Sequence, residues 1–340
     1  MKRIYIITGA NGFLGNNVIR KLEREKDAEI RALVRPGGDT RSLKGLNCKI
    51  YYGDATKKET LEEIFDVKEP AEIFVIHCAG VVYIKSKYDP RVYDVNVNGT
   101  KNVAAMALEK NAKMVYVSSV HAIPEKPDNE TMSEIDRFDE SRAVGQYAKT
   151  KAEAGNYILD MAREKGLNAC VVHPSGLIGP YDFKNTHLTQ LIKKMADGRI
   201  IACVKGGYDF ADVRDVAGGV IGACRSGAAG ECYILSNKYY SVKELADMVC
   251  EVMGEKKFKI VFPMRLVKFI APVCELYYEI RNQTPLFTKL SLYTIASNSK
   301  FSNEKAKKAL GYKTRDMRET IRDTISWLED NRARLEAGDR

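Results

Sequence analysis

The chain is poor in the features that would place it in several large classes. Eight cysteines occur in 340 residues, but no two form a CxxC pair and no Cys/His cluster with the spacing of a metal site appears. That argues against a metal site and against a disulfide framework. Several of these cysteines sit inside apolar runs and read as small buried hydrophobes of a protein kept in a reducing compartment, the cytoplasm. No leader is expected, because Met1-Lys2-Arg3 runs straight into an apolar strand. The longest apolar stretch of the C-terminal half, Leu266 to Ile280, is broken by Lys268 and Glu275, so no membrane span is expected. The formal net charge is +9, yet Lys and Arg are interleaved with Glu along helical segments, and no basic run is spaced by aromatics. Nucleic-acid binding is therefore not expected, and the positive balance points to an anionic small molecule. Repeats are absent, and the 45% hydrophobic content is enough for a substantial core.

What is present starts at Thr8-Gly9-Ala10-Asn11-Gly12-Phe13-Leu14-Gly15. An apolar run, Ile4 to Ile7, precedes it and reads as a buried strand; Val18 to Leu22 follows with helical spacing. Three glycines thus occupy the turn from a first strand into a first helix. Gly9 permits a backbone conformation closed to other residues, Gly12 leaves no side chain between backbone and ligand, and Gly15 lets helix and strand approach. A helix N-terminus offers unpaired N–H groups and a positive dipole end to a pyrophosphate. In this context the turn points to a dinucleotide.

The rest of the first half alternates. Strands are predicted at Ile4–Thr8, Glu29–Val34, Lys49–Tyr52, Ile73–His77, Met114–Ser118 and Ala169–His173, and helices at Gly12–Glu25, Thr60–Phe65, Val92–Lys110 and Ser141–Lys165. Such alternation predicts an α/β fold, a Rossmann-type doubly wound parallel sheet with ligands at the strand C-ends. After the Gly- and Pro-containing loop Pro174–Pro180 the pattern is mixed and mainly helical: helices near Asn185–Ala196, Val213–Cys224, from Val242, from Met264 to Ile280, Ser302–Leu310 and Met317–Leu328, with strands at Ile200–Val204 and Cys232–Leu235. Ser241 and Glu244 form a capping-box pattern and Gly311 a helix stop. The expected organisation is a dinucleotide domain over 1–175, to which some later segments return, a substrate lobe over 176–330 and a charged tail over 331–340.

Two features carry chemistry. The second strand ends in Arg35, with no acidic residue before Asp39. At that place an acidic residue would accept from the ribose hydroxyl of NAD, whereas an arginine suits the 2′-phosphate of NADP. NADP(H) is therefore favoured, with NAD(H) left open. Asp54 could accept from the adenine amino group or serve as a helix N-cap, and His77 reads first as a satisfied core histidine. The sharper feature is Tyr147-Ala148-Lys149-Thr150-Lys151, which puts Tyr147 and Lys151 on one helical face. The ammonium is expected to pull the phenol pKa, ordinarily about 10, toward neutrality. Ser118-Ser119 ends the fifth strand on the same edge as the glycine turn, where a hydroxyl can donate to a substrate oxygen.

Taken in order, the glycine turn, Asp54, His77-x-Ala-Gly80, Asn96, Ser118-Ser119, Tyr147-x-x-x-Lys151 and Pro174-Ser175 resemble the extended short-chain dehydrogenase/reductase family over about residues 1–220. The resemblance implies Tyr147 as acid/base, Lys151 tuning it and holding the nicotinamide ribose, Ser119 orienting the carbonyl, and Asn96 supporting a proton-relay water. It implies a cofactor lined by Gly9, Asn11, Gly12, Phe13, Leu14, Gly15, Arg35, Asp54, Ala55, Cys78, Ala79, Gly80, Tyr147, Lys151, Pro174 and Ser175. It leaves open a homodimer through the fourth and fifth helices.

Within that family, Leu33 to Pro36, Phe210 to Ala217 and the apolar C-terminal lobe look like the dihydroflavonol-4-reductase and 3β-hydroxysteroid-dehydrogenase relatives. Sugar-nucleotide dehydratases place Asp-Glu where this chain has Val120-His121. The epimerases usually carry an arginine in the segment that here reads Gly206-Gly207-Tyr208-Asp209-Phe210. The expectation is hydride transfer between NADP(H) and a carbonyl or secondary alcohol, with an apolar polycyclic or steroid-like substrate walled by Pro263–Ile280, Tyr277-Tyr278 and Thr284–Phe287. Alternatives are a nucleotide-sugar 4-epimerase with bound NAD and, in another class, a non-catalytic NADP-binding regulator. His121 and Tyr181 are expected to line the pocket.

Overall fold

The computed structural model describes residues 2–25, 27–84, 87–127, 130–200, 202–257, 260–267, 269 and 289–332. The first half runs β1 (Lys2–Thr8), α1 (Phe13–Leu22), β2 (Ala28–Val34), β3 (Lys49–Tyr52), α2 (Glu62–Phe65) and β4 (Ala71–His77). A long helical stretch follows as α3 (Pro90–Tyr93), a π-helical turn Asp94–Asn98 and α4 (Gly99–Glu109). Then come β5 (Lys113–Val117), α5 (Gln146–Lys165) and β6 (Ala169–Pro174). The second half adds β7 (Gly176–Ile178), α6 (His187–Ala196), β8 (Cys203–Val204), β9 (Gly207–Asp212), α7 (Val213–Ser226), β10 (Cys232–Leu235), β11 (Lys238–Ser241), α8 (Val242–Met253), β12 (Val261–Phe262), α9 (Lys289–Ala296), α10 (Glu304–Leu310) and α11 (Met317–Asp330).

Seven strands form one parallel sheet in the order β10-β6-β5-β4-β1-β2-β3. The order reverses between β1 and β4, and at such a switch point a crevice opens at the strand C-ends. Both faces are covered. Along β1, Ile4 and Ile6 join a core on one side of the sheet, while Tyr5 and Ile7 join a second core with α1 and α7 on the other. This is why the strand reads as a continuous apolar run rather than an alternation. The lobe beyond β6 is built on a second, three-stranded sheet, β11-β9-β7, and a two-stranded one, β12-β8. Meanwhile α7 and β10 belong to the main sheet's layers.

Four strands, β7, β9, β11 and the short β12, depart from the sequence expectation. β7 lies in a stretch read as loop, and β9 and β11 carry glycine, aspartate and serine that weaken a strand pattern. Their pairing is tertiary: Gly176 opposes Phe210, and Tyr239 opposes Asp209. The strand expected at Ile200–Val204 reduces to Cys203–Val204. α5 begins at Gln146 instead of Ser141, because Asp139 caps a turn at Ser141 and Gly145 adopts φ 90°. The capping box on α8 is present as read, and Gly311 ends α10 in the left-handed conformation. Most of the helix expected over Pro263–Ile280, with Tyr277, Tyr278, Thr284–Phe287, Cys274 and the tail from 333, lies outside the described residues. Among the described residues no cysteine is in a disulfide. No helix there is long and apolar enough to cross a membrane.

Candidate active site

The glycine turn closes the crevice at its floor. Gly9 has φ 64°, and a Cβ there would stand 2.7 Å from Ala79 N. A Cβ on Gly15 would stand 2.3 Å from Gly9 O, so backbone fills the space a side chain would need. Gly12 is the N-cap of α1 and carries no side-chain cap. The N–H groups of Phe13, Leu14 and Gly15, in the helix's first turn, therefore have no helical partner, while the Phe13 and Leu14 side chains pack into the core. Asn11 turns away to bond Asp39 O, at 2.7 Å, fastening the loop after β2 to the turn. Arg35 stands exposed at the end of β2, and among the described residues its side chain has no partner. Asp39, the next carboxylate along the chain, is paired with Arg41.

Asp54 closes a turn and is not a helix N-cap: its Oδ1 accepts from Thr56 N at 3.0 Å and Thr56 Oγ1 at 2.9 Å, while Lys57 caps the helical turn that follows. Its other carboxylate oxygen has no partner among the described residues, so the turn leaves one acceptor over. Ala55 is buried against Gly99 at the start of α4. His77 is a core histidine in a directed chain. Thr100 Oγ1 donates to Asn96 O (2.7 Å), so it accepts from His77 Nε2 (2.9 Å); Thr8 Oγ1 then donates to Nδ1 (2.6 Å) while accepting from Ala79 N (3.2 Å). Burial pushes the imidazole down to about 3, which keeps it neutral as this chain requires. Cys78 is likewise held as a thiol, up to about 12.

The catalytic candidates converge above this floor. Lys151, one turn along α5 from Tyr147, is buried; its Nζ donates to Val117 O at 2.8 Å and lies 4.9 Å from the centre of the Tyr116 ring. A Cβ on Gly80 would be 3.2 Å from that Nζ and 3.3 Å from Asn96 Oδ1. Asn96 sits in the π-helical turn, a device that often marks functional sites. Its amide bonds Val81 N (2.7 Å), Val81 O (3.1 Å) and Thr150 Oγ1 (3.0 Å), tying the loop after β4 to α5. Ser119 follows β5, and its Oγ accepts from His121 N at 3.2 Å. Ser118 is turned inward, donating to Lys151 O at 3.4 Å.

One expectation is reversed. Burial pushes the Tyr147 phenol up to about 12, with the Ser119 hydroxyl pulling it the other way. The same desolvation brings Lys151 down to about 8. Desolvation rather than the Lys151 charge dominates the phenol, and the ammonium itself is engaged by Val117 O. Pro174 and Ser175 are buried at the end of β6, and among the described residues the enclosed Ser175 hydroxyl has no hydrogen-bond partner. One other placement, that of Tyr181, differs from the sequence reading. Tyr181, expected in the pocket, lies on α1 with its ring 4.0 Å below the Arg20 guanidinium and its edge toward Trp327. His121 is beside Tyr147, ring centroids 6.2 Å apart.

A family model described as NAD dependent epimerase/dehydratase matches residues 5–236, the stretch that holds the turn, Ser119, Tyr147 and Lys151. The chain belongs to the NAD dependent epimerase/dehydratase family. Family relatives span its whole length. The sterol demethylase protein B of Methylococcus capsulatus is 26% identical over 333 residues, covering 96% of this chain and 98% of that one. A protein of Synechocystis sp. that carries the name dihydroflavonol 4-reductase is 26% identical over 336 residues, covering 97% and 96%. The crystal structure of gox2253 superposes with TM-score 0.82 at 33% identity, covering 96% of this chain and 98% of that one.

Sequence reasoning missed several site residues of this family member. Thr8, Thr100 and Thr150 complete the network from the turn to α5, and Tyr116 backs Lys151. Tyr208, from β9, bonds His121 Nε2 at 3.1 Å. Isolated threonines and tyrosines leave no spacing signal; an alternating strand pattern at Gly207–Asp212 would have been the one clue to Tyr208, and its aspartates obscure it.

Proposed function

We propose that this protein is an NADP(H)-dependent oxidoreductase interconverting a carbonyl and a secondary alcohol on an apolar, polycyclic or steroid-like substrate. The observation that carries the reading is the convergence of Ser119, Tyr147 and Lys151 at the C-terminal end of β5, beside a glycine cradle with no room for a Cβ. The cradle and the free N–H groups of α1 suit a pyrophosphate. Asp54 has an acceptor left for the adenine amino group, and Arg35 offers an unpaired guanidinium to a 2′-phosphate. When bound, the nicotinamide supplies or takes up the hydride. Tyr147 gives a proton to the carbonyl oxygen in reduction, Ser119 donates a hydrogen bond to the same oxygen, and Lys151 holds positive charge near both. The relatives named for sterol and flavonol chemistry support an apolar ring substrate.

Replacing Tyr147 by Phe should abolish turnover while NADPH still binds, read by fluorescence titration beside steady-state rates across steroid, phenolic, aliphatic and sugar carbonyls. Normal turnover in that variant sinks the reading. Retention of NAD through purification together with tight UDP-sugar binding would instead favour a 4-epimerase.

A further inference from the structure

Away from the crevice, exposed apolar side chains are unevenly spread. Among the described residues, five of the twelve large apolar side chains that meet solvent fall within ten positions: Ile260, Val261, Phe262, Leu266 and Phe269, the last 84% exposed. Single exposed apolar residues need no explanation, whereas a contiguous set marks an interaction site. The backbone accounts for this set. β12 pairs with β8, Cys203 N donating to Ile260 O at 2.9 Å and Lys205 N to Phe262 O at 3.0 Å. That sheet has two strands, and the consecutive side chains of β12, on opposite faces, are both exposed. Pro263 O then accepts from Leu266 N at 3.0 Å, opening a helical turn over 264–267. Leu266 and Phe269, three apart in helical backbone, share one face. Positive charge accompanies the patch. From Lys256 to Cys274 the sequence holds five cations, Lys256, Lys257, Lys259, Arg265 and Lys268, and no acid. Ile260 to Met264 splits these cations, so they do not stand out as a basic run. Lys257 is paired with Glu251, while Lys205, Lys256 and Arg265 have no ion pair among the described residues. Lys205 and Arg265 line an open groove of about 730 Å³ together with Tyr239, Pro263, Met264 and Ile295, so cations and apolar side chains share one face.

We infer that this face docks on a membrane surface bearing anionic lipid headgroups, with Ile260, Phe262, Leu266 and Phe269 entering the interface and Lys205, Lys256 and Arg265 meeting the phosphates. Charge complementarity selects the occupant. A second copy of the chain would bring like charges together, and a nucleic acid would offer no apolar phase to Ile260, Val261 and Leu266. An anionic bilayer satisfies both halves of the patch, and apolar insertion and electrostatic attraction are the two signals that stable peripheral binding needs. The docking is peripheral, since among the described residues no helix is long and apolar enough to cross a membrane. The patch also adjoins the active-site side of the lobe through α9. A Cβ on Gly206 would stand 2.3 Å from Ile295 O and 3.5 Å from Met264 Cε. Toward the other end of α9, Leu290 lies 3.0 Å from where a Cβ on Gly145 would be, two residues before Tyr147. α9 has eight residues, a span of about 12 Å. The docking stands apart from the hydride-transfer reading, because vesicle binding needs no turnover.

The test is co-sedimentation of the full chain with vesicles of phosphatidylcholine, alone or with phosphatidylglycerol. The wild type should sediment with the anionic vesicles, little with phosphatidylcholine alone, and come off as salt is raised. Lys205→Gln and Arg265→Gln should each weaken partitioning about fivefold, and Phe262→Ser and Leu266→Ser should each weaken it at least as much. Tyr52→Ser, an exposed apolar position on β3 at the far edge of the main sheet, should change nothing. Thermal melts establish that each variant is folded; where one is not, the wild type's dependence on phosphatidylglycerol and salt decides the matter. A wild type that stays in solution with anionic vesicles at low salt, or binding untouched in all four folded patch variants, overturns the inference. So do wild-type dimers that Phe262→Ser and Leu266→Ser dissociate, which would give the patch to a second copy, and tighter binding to single-stranded DNA than to the vesicles. A wild type that reduces no ketone sinks the hydride-transfer reading and leaves the docking standing.

Discussion

Lys151 and Tyr147 are shifted in opposite directions by one cause, since desolvation disfavours the charged form of each. In reduction Tyr147 must be protonated, and with a pKa near 12 it stays so through neutral pH. Lys151 is an ammonium only below about 8. The rate of carbonyl reduction should therefore fall above pH 8, about tenfold per pH step, in a kcat/KM profile; a flat profile to high pH would show that the charge on Lys151 does not matter. Asp209 behaves differently. It is fully buried in β9, Oδ1 accepting from Asn237 N, and burial raises its carboxyl from 3.8 to about 6. A raised acid favours the protonated form in the fold, so its cost is absent below the unfolded value and complete above about 6. Asp209→Asn keeps the Oδ1 acceptor and removes that cost. The variant should melt higher than the wild type at pH 7.5, by up to about 3 kcal/mol, with the gap closing toward pH 4.

At the scale of the element, the strand-turn-helix around Gly9–Gly15 is over-determined. Its glycines answer to a positive φ at one position and to a backbone contact at the other, so neither tolerates a methyl group. Gly15→Ala should destabilise the protein by about 1–3 kcal/mol and weaken NADPH binding, checked by melting and titration; wild-type affinity would show that α1 can shift without cost. This element, the Tyr147–Lys151 spacing and the α8 cap were all legible, because φ preference, a 3.6-residue period and a side chain reaching three residues on are local properties. The start of α5 was not legible, since the turn at Asp139 and the φ of Gly145 cut the helix short despite a helical composition. Nor was the pairing of β9 with β7 and β11, which needs partners about thirty residues away.

For the whole molecule, the segment Asp212-Val213-Arg214-Asp215, which in sequence marked the family branch, works as a clamp. Buried Asp212 caps α7, pairs with Arg214 and Arg315, and accepts from Thr320 of α11 at 2.8 Å. Arg214 reaches on to Asp323, and Arg315 to Asp215 and Glu319. The last helix of the lobe is thereby fixed to the end of β9 and the start of α7. Asp212→Ala strands two half-buried guanidinium groups and should cost about 3–5 kcal/mol, with faster proteolysis within α11; a melt close to wild type would show that the remaining carboxylates carry the clamp.

By itself the sequence determined the parallel sheet, the glycine turn, the serine at the end of β5 and the Tyr-Lys face of α5. Each is encoded within a few residues, by backbone freedom or by periodicity. Tertiary structure alone decided that Lys151 donates to Val117 O and that Tyr208 crosses 87 residues of chain to His121. Those outcomes depend on desolvation and on which distant strand supplies a partner, and neither quantity exists until the chain is packed.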